Sequence, residues 1–393
     1  MPALAYGGVG RRVAYYRRLK RMTQDQLAQS ACVALGTIRK IERGERGVGD
    51  ATLEAIAAAL SVDPMQLRTD RSPAQTPVHD ALPALSAAIA TYDLPEDGPI
   101  RPLADLRAAV SDAADWRLSA QYIRISHQIP ELLAEVTRAY HAAAPGRRAI
   151  EAGLLVRAYR SADAVAYKFG ARDLSARLIE LMRWAAPEAD DPLLTASVAY
   201  VRTETFFAAH AHAAGLRALE QALDAAPAPS SRPEAAARGA LHMRAAVIAG
   251  RARDASAAVT HLAEAQALAE QVPEDVYRGT AFGPDSVRIH EVSVAVSLGD
   301  DHVGRALDVA SEWKPPADLP AERRSGFYIE LARAQLWSGM ADDAFESLKV
   351  ARRIAPQHTR EHPWVREDAS TLRRLKRADS ETLSNFAEWC SAT

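Results

Sequence analysis

The sequence predicts an all-α fold, with a small N-terminal domain of five short helices followed by a long superhelix of helical repeats. Three observations carry that prediction. From residue 85 to about residue 377, apolar residues recur at three- and four-residue spacing, the period of an amphipathic helix. Alanine is abundant while aromatics make up only 6% of the chain, which suits closely packed helices better than sheets. No convincing alternating strand pattern is present.

The 393 residues leave room for two or more domains. The formal charge of -2 hides an asymmetry, because residues 1–46 carry ten Lys/Arg against three Asp/Glu and the remainder is acidic. A basic end on an acidic body points to a local nucleic-acid surface. The two cysteines, Cys32 and Cys390, are too few and too far apart for a disulfide framework or a four-ligand metal site. No apolar run approaches the ~20 residues that span a bilayer, and the Arg-rich start is not a secretory signal. The expected setting is the reducing cytoplasm, with no membrane partner.

Along the basic end, helix 1 is expected over residues 9–21, with Val13 and Tyr16 facing inward. Thr23-Gln24-Asp25-Gln26 fits a capping box at the start of helix 2, whose Leu27 and Ala28 face the core. Cys32-Val33-Ala34 makes a turn. Helix 3 is expected over residues 35–43, burying Ile38 and Ile41, with Gly44 as its stop. Asp50 opens helix 4, where Leu53, Ile56, Ala57 and Leu60 form the apolar face, and Asp63-Pro64 opens helix 5 with Pro at N1. Residues 1–69 therefore form the first domain. Residues 70–83, with Pro73, Pro77 and Pro83, read as a linker. Residues 84–393 form the second.

The second domain contains an internal repeat. Tyr159, Gly170 and Pro187 have the same spacing as Tyr328, Gly339 and Pro356. The fuller copy adds Leu331, Ala332, Ala344, Leu348 and Ala351, with small residues where two antiparallel helices meet. The copies lie 169 residues apart, close to five periods of about 34 residues. Gly250 and Gly299 read as further inter-helix turns, and residues 227–233 as a long loop.

The segments TQDQLAQSA, TIRKIERGERG and TLEAIAAALSV resemble the XRE/Cro-repressor helix-turn-helix family. That resemblance implies that helix 3 enters the major groove of double-stranded operator DNA. Carried over by position, Leu35, Gly36, Thr37, Arg39 and Lys40 face base edges, and Gln24 meets a phosphate. Arg17 and Glu42 tie helix 1 to helix 3, and Arg12, Arg17 and Arg43 complete the DNA-binding set. Two positions depart from the family pattern. Cys32 stands where Gly is usual, and Ala34 where Ser is usual.

The repeat order resembles the tetratricopeptide repeat (TPR). The two-part architecture resembles peptide-sensing helix-turn-helix–TPR regulators, and more closely actinobacterial XRE–TPR regulators, in which the FGP-x-x-V-x-x-H pattern of residues 282–290 recurs. The resemblance implies a transcription regulator that binds DNA as a homodimer and answers to a peptide or small-molecule effector. Candidate residues for the effector groove are Arg157, Arg202, Glu204, Arg244, Arg288, His290 and Tyr328. The alternative is a scaffold in which the TPR groove holds a protein and the DNA-binding domain tethers it.

Catalytic signatures are missing. The sequence has no Walker A, H-E-x-x-H or G-x-S-x-G pattern, and Gly7-Gly8-Val9-Gly10 follows no strand. His358 and His362 have helical spacing, but Pro356 and Pro363 interrupt a continuous helix there. No enzyme activity, cofactor or metal site is expected.

Overall fold

A computed structural model describes residues 8–20, 22–44, 48–60, 62, 64, 67, 77–375 and 381–392. The chain divides into two compact units at Thr76 and Pro77. Among the described residues the fold is all-α apart from one short hairpin, and no helix is long and apolar enough to cross a membrane.

In the first unit, α1 covers Gly8–Leu19, α2 Gln24–Ser30, α3 Leu35–Glu42 and α4 Asp50–Leu60. The expected end of helix 1 at Arg21, and most of the expected helix at residues 63–69, lie outside the described residues. Val13, Leu27, Ile38, Ile41, Leu53, Ile56, Leu60 and Leu67 form the core. The capping box closes as expected, with the Gln26 amide donating to Thr23 Oγ1 (3.1 Å) and the Thr23 amide to Gln26 Oε1 (2.8 Å). Gly10 lets α1 meet α3, since a Cβ there would stand 1.8 Å from the Ile41 carbonyl oxygen.

The second unit opens with α5 (Pro77–Ala90), α6 (Leu103–Leu118) and α7 (Tyr122–Ala142). Half of the expected linker is therefore helix. Val78, Leu85 and Ile89 are fully buried on one face, and that burial outweighs the hydrogen bond lost at Pro83 inside the helix.

Five helix pairs follow: α8 (Arg148–Lys168) with α9 (Arg172–Ala185), α10 (Pro192–Ala208) with α11 (His212–Ala225), α12 (Arg232–Arg251) with α13 (Ala255–Ala269), α14 (Pro284–Leu298) with α15 (Val303–Glu312), and α16 (Ala321–Trp337) with α17 (Ala341–Ile354). The first helix of each pair packs on the first helix of the next. Short helices α18 (Pro356–Glu361), α19 (Pro363–Leu375) and α20 (Glu381–Trp389) end the array.

Three details correct the sequence reading. Gly170 and Gly339 do turn the chain with positive φ, but only four repeats separate them, so the mean repeat is about 42 residues rather than 34. Gly250 lies buried inside α12 against Ser297, and the turn falls later, at Arg253 with φ 63°. Strands β1 (Asp275–Tyr277) and β2 (Thr280–Phe282) form an antiparallel hairpin. Its two turn residues, Arg278 and Gly279, both have positive φ, as a tight type I′ connection requires. Three residues per strand are too few to show alternation.

The hairpin explains part of the FGP pattern. Phe282 is fully buried against Gly239, where a Cβ would stand 1.9 Å from its ring. Pro284 begins α14. Glu274 then receives the Ser286 amide (2.8 Å) and hydroxyl (2.5 Å).

The repeat array closes on itself. Lys168 of the first pair bonds Glu322 of the last (2.8 Å), and the Ile123 amide donates to Gln357 Oε1 (2.9 Å). Arg323 of α16 reaches Tyr200 of α10 (2.8 Å).

Candidate functional site

The α3 helix buries Ile38 and Ile41 and turns Gly36, Arg39 and Lys40 outward, with Arg43 exposed at its C-terminal end. Leu35 and Thr37 are half-buried. The outward face thus carries cationic donors beside a small residue that allows close approach, a combination suited to a groove floor and its phosphate walls.

Arg17 and Glu42 fix the pose of α3. The Arg17 guanidinium donates to both Glu42 oxygens (2.7 and 2.9 Å) and to the Met22 carbonyl (2.9 Å). Gln24 Nε2 adds a bond to Glu42 (2.8 Å). Burial opposes ionisation of Glu42, but the bonds from Arg17 and Gln24 outweigh it and hold the carboxyl below its ordinary range. Gln24 and Arg17, assigned to DNA from sequence, thus spend polar groups on internal positioning. Arg12 departs further from expectation. It is 4% exposed and its Nε donates to the Leu67 carbonyl (2.8 Å), so its guanidinium ties helix 1 to the C-terminal end of the domain core.

The turn before α3 shows both departures from the family pattern. Cys32 has φ 53°, the left-handed region where a Cβ is unfavourable. Ala34 caps α3 without any side-chain hydrogen bond.

In the repeat unit, three of the seven groove candidates converge. Arg244 stacks over the Tyr200 ring (4.4 Å) and approaches Glu204 (3.5 Å). Arg323 bridges Tyr200 and His290 (3.1 Å to Nε2). The other four sit elsewhere. Arg202 stacks over Phe206 (5.3 Å), and Tyr328 packs edge-on against Phe327. Arg288 lines an outer cleft with Glu291, Arg305 and Trp313. Arg157 is exposed and interacts electrostatically with Arg278 and Asp115.

Residues not singled out from sequence complete this interior. Lys168 donates to His358 Nε2 (3.2 Å) as well as pairing with Glu322. Arg117 and Arg160 grip the hairpin tip through the Gly279 carbonyl (2.7 Å), the Arg278 carbonyl (2.8 Å) and Thr280 Oγ1 (2.6 Å). Glu330 accepts a short hydrogen bond from Ser293. The first helices of all five pairs contribute, and a repeat register of 34 residues could not have aligned them.

The interior is densely charged, and its groups shift one another. His290 accepts from Arg323 at Nε2 and so donates from Nδ1 to the Ser286 carbonyl (2.7 Å), which fixes a neutral ring. Burial and Arg323 hold its pKa well below the ordinary range. Burial and Lys168 push His358 down to about 3. Burial raises Glu330 to about 7 and holds Asp163 well above its usual range. Burial alone would raise the Tyr200 phenol, but Arg244, Arg323 and Arg160 bring it down to about 8. His358 and His362 stack edge-to-face at 5.6 Å. Among the described residues no group of three or more His, Cys, Asp or Glu could hold a metal.

The helix-turn-helix family model HTH_3 matches residues 13–67, so the chain carries a helix-turn-helix domain. No curated protein matches the chain. Two solved structures show a low similarity. Bacillus thuringiensis PlcR, solved in complex with the peptide PapR7 and DNA, is 11% identical, with a TM-score of 0.28, covering 67% of this chain and 94% of PlcR. A PrgX point mutant is 8% identical, with a TM-score of 0.26, covering 97% of this chain and 99% of PrgX.

Proposed function

We propose that the protein is a sequence-specific, DNA-binding transcription regulator that reads double-stranded operator DNA with α3. Its repeat domain binds a small effector and supports homodimerisation. The observation that carries this reading is the exposed Gly36-Arg39-Lys40-Arg43 surface on a helix locked by the Arg17–Glu42 pair. A rigid helix presenting cationic donors on one face is what major-groove readout needs. Two copies related by a two-fold axis would address half-sites about 34 Å apart.

The test is selection of bound sequences from random duplexes by the full chain, followed by titrations at several salt concentrations. Arg39→Ala should cost ~1–3 kcal/mol on the selected site and much less on random DNA. Lys40→Ala serves as the comparison for a purely electrostatic contact. Equal losses on both DNAs for Arg39→Ala would remove its base-reading role. Failure to select any sequence would overturn the proposal.

A further inference from the structure

Resting on the sensor reading of the repeat domain, we propose that its interior binds a compact oxyanion, the phosphate or carboxylate group of a small metabolite. Three observations lead there. The first is an imbalance of charge. Arg117, Arg160, Lys168, Arg244, Arg251 and Arg323 interact with one another or with shared partners in this interior. Glu204, Glu274 and Glu322 are the carboxylates set against these six cations, while burial raises Asp163 and Glu330 toward the neutral acid and lowers His290, His358 and His362 toward the neutral ring. Gathered cations repel one another in a low-dielectric site, and an anion relieves that repulsion.

The second is access. Deep inside the array, Lys168 and Glu322 keep 22% and 25% of their side chains solvent-accessible, and Arg244 and Glu204 keep 17% and 18%. Solvent therefore reaches all four of these side chains. Arg244 Nε and Arg117 Nε are buried donors with no hydrogen-bond partner, although buried donors are rarely left so. Arg244 is also the cation least committed to a protein acceptor, its contact to Glu204 being 3.5 Å.

The third is shape. Lys168–Glu322, Lys168–His358 and Arg323–Tyr200 tie early repeats to the last one. An extended chain laid along the inner helices would have to break these ties, whereas a compact anion would not. Guanidinium groups and a tyrosine hydroxyl together recognise an oxyanion by charge-assisted bonds.

The experiment uses the full chain at constant ionic strength. Inorganic phosphate, pyrophosphate and citrate are titrated calorimetrically against chloride as the reference salt. The expected result is one saturable site per chain for at least one of the three, and the one that binds tells phosphate from carboxylate chemistry. Arg244→Gln should weaken it about tenfold or more, the size of one lost charge-assisted hydrogen bond. Arg288→Gln, in the outer cleft, should leave it unchanged.

A second readout is independent of affinity. Tyr200 lies among Arg160 of α8, Arg244 of α12 and Arg323 of α16, with Glu204 on its own helix. A bound anion should shift the Tyr200 phenol titration, followed by ultraviolet difference absorbance, to higher pH. Tyr200→Phe should abolish that step and so assign it. Absence of saturable binding by all three anions overturns the proposal, as does binding that leaves the Tyr200 titration in place. Binding with no change in operator affinity would support the interior site and overturn only its coupling to DNA. Loss of the proposal leaves the operator experiment standing by itself.

Discussion

Cys32 and Ala34 place two local costs in the turn that aims α3. A left-handed Cβ residue costs roughly 1–2 kcal/mol, and an uncapped helix N-terminus costs ~0.5–2 kcal/mol. Cys32→Gly and Ala34→Ser should therefore each stabilise the helix-turn-helix unit by about 1 kcal/mol, seen as a higher first transition in thermal unfolding of the full chain. Both costs were legible in sequence because they depend on one residue and its local backbone. Arg12 was not, because its partner Leu67 is 55 positions away, and a basic residue near a DNA-reading helix looks like a phosphate contact until its direction is known. Glu42 supplies a pH test. Its folded pKa is depressed, so its contribution is present above the unfolded value of about 4.3 and is lost as pH falls through the folded value. Acid unfolding of the domain should become less steep in Glu42→Gln, at the expense of lower stability at neutral pH.

At the scale of elements, packing decided what pattern could not. The apolar face of α5 was readable at Val78, Leu82, Leu85 and Ile89, yet three prolines around it mimic a linker. Gly250 and Gly170 look alike in sequence, but one admits a neighbouring helix and the other turns the chain. The hairpin is anchored to the interior, because Arg117 and Arg160 hold its tip and Phe282 holds its base. Gly239→Ala forces Phe282 out of place and should destabilise the repeat unit by about 1–3 kcal/mol, measured by chemical denaturation. Arg278→Gly relieves a left-handed residue and should be neutral or stabilising in the same assay. A destabilising Arg278→Gly would mean that the Arg278 pair with Asp191 (3.0 Å) outweighs the turn strain.

On the scale of the whole molecule, the charge asymmetry and the all-α class were readable because they are sums over many residues. The polar interior was only partly readable, because Glu204, Arg244 and His290 come from three different repeats, and their meeting with Lys168 and Arg323 depends on the true repeat length. Glu330 offers a test of that interior. Its folded pKa of about 7 lies above the unfolded carboxyl range, so the folded state loses stability as pH rises from about 4.3 toward 7. Glu330→Gln should be worth up to about 3 kcal/mol at pH well above 7 and little at pH 4, measured as the difference in unfolding free energy. An equal effect at both pH values would show that the carboxyl is not buried as described.

The tie between Lys168 and Glu322 has one more consequence. A linear stack of repeats can fray from either end, each unit answering only to its neighbours. Here the ends hold each other, so the repeat unit is a closed circuit, and a cut anywhere in it opens the whole. Unfolding should then run as one cooperative transition, slow to form because its closing contacts join residues more than 150 positions apart. Removing the far end should also loosen the first repeat, detectable there as faster amide hydrogen exchange.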